Sequence, residues 1–71
     1  MHPLRRARRE AGRSVADLAR EVNVTRATIY ALEEGRNKGN IDTWIKLAVA
    51  LDTTVDELVE GMLERELAGK A

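Results

Sequence analysis

The chain has 71 residues, no cysteine, one histidine (His2) and as many acidic as basic side chains, so its formal net charge is zero. At this length it is expected to fold as a single domain over residues 1–71, with little margin against chain entropy. Disulfides are excluded, one histidine cannot assemble a metal site, and no apolar run is long enough for a membrane span or arranged as a signal peptide, so a cytoplasmic protein without metal or cofactor is expected.

Zero net charge hides an asymmetry. Residues 1–40 carry nine Lys/Arg against five Asp/Glu, and residues 41–71 carry three against seven. Such a distribution suits a basic contact face on one side and an acidic back on the other, although small helical proteins also show uneven halves by chance. With one Trp, one Tyr and no Phe, the core must be aliphatic.

No strand pattern, repeat or low-complexity stretch interrupts the chain, and five helical segments fit the apolar spacing. The first runs from about Pro3 to Ala11. Pro3 suits the first helical position, where its missing N–H costs nothing, and Gly12 suits the stop. Leu4, Ala7 and Ala11 share one face. The second opens at Ser14, with Asp17 three residues on as a capping-box variant. Val15, Leu18, Ala19 and Val22 form its buried stripe, and Asn23 ends it. Thr25 caps the third, whose Ile29 and Leu32 point inward with Val24, and Gly35 ends it. After a polar loop from Arg36 to Gly39, Asn40 caps the fourth. Its inward set is expected to be Ile41, Trp44, Ile45, Ala48 and Leu51. The fifth, over about 55–68, is capped by Thr54 or Thr53 and carries Val55, Leu58, Val59 and Met62, with Gly61 weakening its middle by up to about 1 kcal/mol.

In this order and spacing the residues resemble the helix-turn-helix family of phage repressors and Cro, also called the xenobiotic-response-element type. The resemblance runs from about Leu4 to Leu58. It rests on Leu4 with Arg8 before Gly12, Ser14, Leu18-Ala19, Val24-Thr25, Thr28-Ile29, Leu32-Glu33 with Gly35, the run Leu47 to Leu51, and Val55 with Leu58. Ala19 is small enough to let two helices cross closely, and the turn Val22-Asn23-Val24 pushes one of them outward. The resemblance implies an all-α, compact, five-helix, lambda-repressor-like domain. The chain departs from the family pattern at Asn23 (usually glycine), Arg13 (usually apolar), Val15 (often Gln, which grips the DNA backbone) and Gly39 (commonly proline).

The helix opened by Thr25 is the expected reader of double-stranded DNA. With Ile29 inward, steps of 100° place Ala27, Tyr30, Ala31 and Glu34 outward, with Arg26 flanking them. Arg26 is the best base reader, because its fork matches guanine O6 and N7; a phosphate contact or plain solvation is the alternative. Ala27 can meet a thymine methyl, Tyr30 can donate to phosphate, and Ala31 leaves room for the groove wall. Backbone contacts are expected from Ser14, Thr25, Thr28, Arg36, Asn37 and Lys38. Glu34 on this face would repel phosphate. The resemblance further implies an ion pair between Arg8 and Glu33 that joins the first helix to the third.

One such domain offers few contacts, and the family commonly pairs two copies on a palindromic site. Val59, Met62, Leu63 and Leu67 extend past the core and are the expected interface of a homodimer, unless the helix folds back on its own domain. The expected function is a small homodimeric transcriptional regulator, a repressor of a palindromic operator. The alternative is an antitoxin or adaptor that grips another protein through the same C-terminal patch. An enzyme is not expected, since the chain has no nucleophile–base set and no Gly-rich phosphate loop.

Overall fold

A computed structural model describes residues 2–59; Met62, Leu63 and Leu67, the greater part of the expected dimer patch, lie outside the described residues. Four helices follow in order: α1 (Pro3–Glu10), α2 (Val15–Glu21), α3 (Arg26–Glu33) and α4 (Ile41–Ala50). Residues 55–59 are helical again. The fold is the all-helical, lambda-repressor-like arrangement expected from the sequence.

Each helix begins where a side chain can take up an orphan backbone N–H. Ser14 accepts from Asp17, Thr25 from Thr28, and Asn40 from Thr43. Between the two threonines proposed for the last helix, Thr54 is the cap, accepting from the Glu57 N–H at 3.2 Å. Thr53 instead bonds the Glu57 carboxylate. At α1, Pro3 occupies the first turn and His2 Nδ1 accepts from the Leu4 N–H at 3.0 Å.

All four helices end in the same way. A left-handed residue (Gly12, Asn23, Gly35, Asp52) follows the C-cap, and the N–H after it reaches back to the fifth residue before it. Asn23 (φ 59°) and Asp52 (φ 53°) take the conformation despite their Cβ atoms, as short polar side chains can. Asn23 therefore closes the turn between α2 and α3 in the place where the family usually has glycine.

The core is aliphatic with one indole. Leu4 of α1, Val15, Leu18 and Ala19 of α2, and Ile29 and Leu32 of α3 are buried together with Trp44, Leu47 and Ala48 of α4, and Val22, Leu51 and Leu58 complete it. Buried Ala19 lies in α2, which packs against α3, and no larger side chain separates the two helices there. In α1, Ala7 packs against the core but Ala11 is exposed beyond the last turn.

The inward face of α4 differs from expectation. Trp44, Leu47, Ala48 and Leu51 are buried, whereas Ile41 is 62 % and Ile45 48 % exposed. The indole decides the rotation: Trp44 Nε1 donates to the Lys38 carbonyl at 2.8 Å, and the ring lies against the loop. That contact needs Gly39. A Cβ there would come within 3.0 Å of both the indole nitrogen and Leu32, and φ is +67°. With Trp44 and Leu47 inward, steps of 100° carry Ile41, Ile45 and Val49 off the buried face.

Candidate DNA interface

The site is built on α3, which packs by its inner face on α1 and α2. Ile29 and Leu32 are fully buried, and between them and the solvent sits Glu33, whose side chain has no exposed surface. A carboxylate in that position is costly unless every lone pair is used. Arg8 Nε donates to Oε2 at 2.6 Å and Arg8 Nη2 to Oε1 at 3.2 Å, while Arg5 Nε donates to Oε1 at 3.0 Å. A further Arg8 donor, Nη1, bonds the Arg13 carbonyl at 3.0 Å, which ties down the turn after α1. Burial alone would push the Glu33 carboxyl up; hydrogen bonds from Arg8 and Arg5, helped by their charges, outweigh it and hold the group below the usual carboxylate range. The hydrogen bond to Glu33 likewise raises Arg8. The Arg8–Glu33 pair implied by the resemblance is therefore present, and Arg5 is a third member that the sequence reading missed. Its position one helical turn before Arg8 was the available signal.

The outer side of α3 carries the residues expected to read DNA. Arg26 and Ala27 are exposed, Tyr30 is 47 % exposed, and Ala31 is half-buried. Two columns result. Ala27 and Ala31 form a low strip that would let the helix approach a groove floor. Arg26 and Tyr30 stand on the flank shared with Glu33 and border a hollow of about 510 Å³ between α1, the start of α2 and α3. Arg5, Arg8, Arg9 and Ser14 line the same hollow. The contribution of Arg9 was not visible in the helical pattern, because it depends on how α1 crosses α3.

The expected backbone contacts fall into two groups. Ser14 and Thr25 are exposed at the starts of α2 and α3, and Thr28 is half-buried with its hydroxyl 2.9 Å from that of Thr25. Arg36, Asn37 and Lys38 are exposed in the loop after α3. Asn37 Oδ1 accepts from the Gly39 N–H at 2.8 Å, so this side chain holds the loop in shape. Arg36 Nε donates to Glu34 Oε2 at 2.6 Å. That pairing accounts for a carboxylate on the outer face. Val15, by contrast, is buried and offers no side chain to a phosphate. Val59, the one described member of the expected dimer patch, is half-buried and packs against the core.

A family model described as helix-turn-helix, of the Cro/C1 type, matches residues 4–58. The chain belongs to the Cro/C1-type helix-turn-helix family, a DNA-binding one. No curated protein and no solved structure matches it. Within the helix-turn-helix domain, α2 and α3 are the two helices of the motif, and Arg26, Ala27 and Tyr30 are the exposed side chains on the outer side of α3. Among the described residues no helix is long and apolar enough to cross a membrane, and no cluster of metal-ligating side chains occurs.

Proposed function

We propose that the protein is a small homodimeric transcriptional regulator, acting in the cytoplasm as a repressor, that reads a palindromic operator with α3 in the major groove. The observation that carries this reading is the outward face of α3, where Arg26, Ala27 and Tyr30 are exposed above a fixed inner face. In this reading Arg26 contacts a guanine edge and Ala27 a thymine methyl. Tyr30 and Ala31 complete the face. Ser14, Thr25, Thr28, Arg36, Asn37 and Lys38 hold phosphates, and such contacts set register without specifying sequence. No cofactor, metal or catalytic step enters it.

Self-association is supported by apolar surface that the core does not use. Ile41, Ile45 and Val49 stand four residues apart on α4, and Val49 is 77 % exposed. Burying such a row against a second copy removes it from water. Two copies related by a two-fold axis would meet two half-sites, about 34–36 Å apart as in other helix-turn-helix dimers.

Selecting bound duplexes from a random pool tests the whole reading. The expected result is an inverted repeat whose half-sites lie one helical turn apart, or a multiple of it, with affinity falling steeply as salt rises. Equal binding to scrambled duplexes would refute sequence-specific recognition. A single unrepeated half-site would refute the dimer.

A further inference from the structure

We infer that the hollow between α1, the start of α2 and α3 seats one phosphate of the DNA strand that passes the reading helix, with Arg9 as its principal cation. This rests on the DNA-binding reading above and adds a contact from α1, a helix outside the helix-turn-helix pair.

The charge balance of the hollow points to an anion. Four guanidinium groups line it (Arg5, Arg8, Arg9 and Arg26) against one carboxylate, Glu33. The carboxylate is already satisfied: Arg5 and Arg8 fold onto it and form the inner wall. Arg9 and Arg26 remain at the rim, exposed and with no hydrogen bond or ion pair among the described residues. Two unpaired cations from different helices facing one concavity repel each other, and an anion placed between them removes that repulsion.

The neutral groups fit the same ligand. Ser14 Oγ accepts from the Asp17 N–H at 3.0 Å, which leaves its own proton free to donate. The Tyr30 side chain stands on the same rim as Arg26, one turn further along α3. The hollow opens onto the exposed flank of α3 and is not a closed pocket for a small molecule. A phosphate there would belong to a strand lying along that flank. Arg9 would thus hold the strand beside the bases that α3 reads, which fixes the angle of entry without contacting any base edge.

Ethylation interference on the selected duplex, with wild type, Arg9→Ala and Arg9→Lys, tests this. In the wild type, ethylating one particular phosphate per half-site weakens binding. In Arg9→Ala that phosphate loses its influence, the slope of log K against log salt falls by about 0.9 per bound chain, and base preference is unchanged. Arg9→Lys keeps the slope. Because Arg9 is exposed and makes no hydrogen bond or ion pair among the described residues, both variants are expected to unfold at the wild-type temperature. An unchanged slope and ethylation pattern in Arg9→Ala would overturn the inference while leaving the DNA-binding reading intact. A changed preference at one base pair would also overturn it, since Arg9 would then read a base. Wild-type protein that binds no duplex would overturn both.

Discussion

The two sides of α3 treat arginine in opposite ways. On the inner side Arg5 and Arg8 surround Glu33 and are held to it by three hydrogen bonds of 2.6, 3.0 and 3.2 Å. On the outer flank Arg26 has no partner in the described chain, and the neighbouring positions Ala27 and Ala31 are small. One helix thus separates cations that fix its orientation from a cation left for a ligand. The basic excess of residues 1–40 cannot by itself locate a binding face, because some of its arginines are committed to carboxylates of the same chain: Arg5 and Arg8 to Glu33, Arg13 to Glu21 and Arg36 to Glu34. What locates the face is which of the unpaired guanidinium groups stand beside α3: Arg9 and Arg26 do, whereas Arg6, unpaired among the described residues as well, lines a second hollow with Leu51 and Leu58.

The inner side is where the largest effect is expected. Arg8→Ala removes two of the three hydrogen bonds to Glu33 and leaves a carboxylate with no exposed surface, so a loss of about 3–5 kcal/mol in urea unfolding is expected. Arg5→Ala leaves the Arg8 bonds in place, and the Arg5 side chain is about one-third exposed, so its loss is expected near 1 kcal/mol or below. Equal, small losses from both would break the contrast between the two sides. The pH dependence gives a second reading. The folded-state pKa of Glu33 is depressed, so at a pH between the folded and unfolded values the unfolded chain binds more protons. The stabilisation is then complete above the ordinary glutamate range and lost as pH falls through the depressed value. Glu33→Gln is expected to lower stability at neutral pH and to flatten the acid limb of the unfolding profile.

A smaller and more selective effect is expected on the outer flank. Arg26→Ala is expected to cost about 1–3 kcal/mol of discrimination at one base pair per half-site, read by competition among single-base operator variants. Stability should hardly change, because Arg26 is exposed and makes no hydrogen bond or ion pair among the described residues. Uniform weakening across all variants would assign Arg26 to phosphate, and α3 would then have no long side chain reading a base.

Much of this separation was legible in the sequence. Caps at Ser14, Thr25 and Asn40 follow from short side chains that accept a backbone N–H, and stops at Gly12, Asn23 and Gly35 from residues that reach positive φ at little cost. The outward set on α3 followed from helical spacing once Ile29 was placed inside. Spacing failed at α4 for a definite reason. Apolar residues there cover more than one face, and the tie was broken by a hydrogen bond from Trp44 to Lys38 and by the room above Gly39, neither of which leaves a periodic mark. Arg5 and Arg9 escaped for a related cause. Four of six successive α1 residues are arginine, and only the crossing with α3 assigns Arg5 and Arg8 to Glu33 and Arg9 to the hollow.

The smallest expected effect concerns the carboxylate that looked out of place. Glu34 accepts from Arg36 Nε at 2.6 Å, yet both side chains are largely in water, 45 % and 64 % exposed, so the pair contributes little to folding. Its consequence lies in binding. While Arg36 is held by Glu34, part of its charge is neutralised before any phosphate arrives, and the carboxylate itself repels the strand. Glu34→Gln should leave stability within about 0.5 kcal/mol of wild type. It should raise operator affinity severalfold at low salt, with the gain shrinking as added salt shortens the screening length. Unchanged affinity would place the loop beyond the reach of the backbone. Weaker binding would mean that Glu34 aims Arg36 at its phosphate, or accepts from a cytosine amino group at the end of the half-site. Operator variants separate those two, because only the second makes the loss depend on a single base pair.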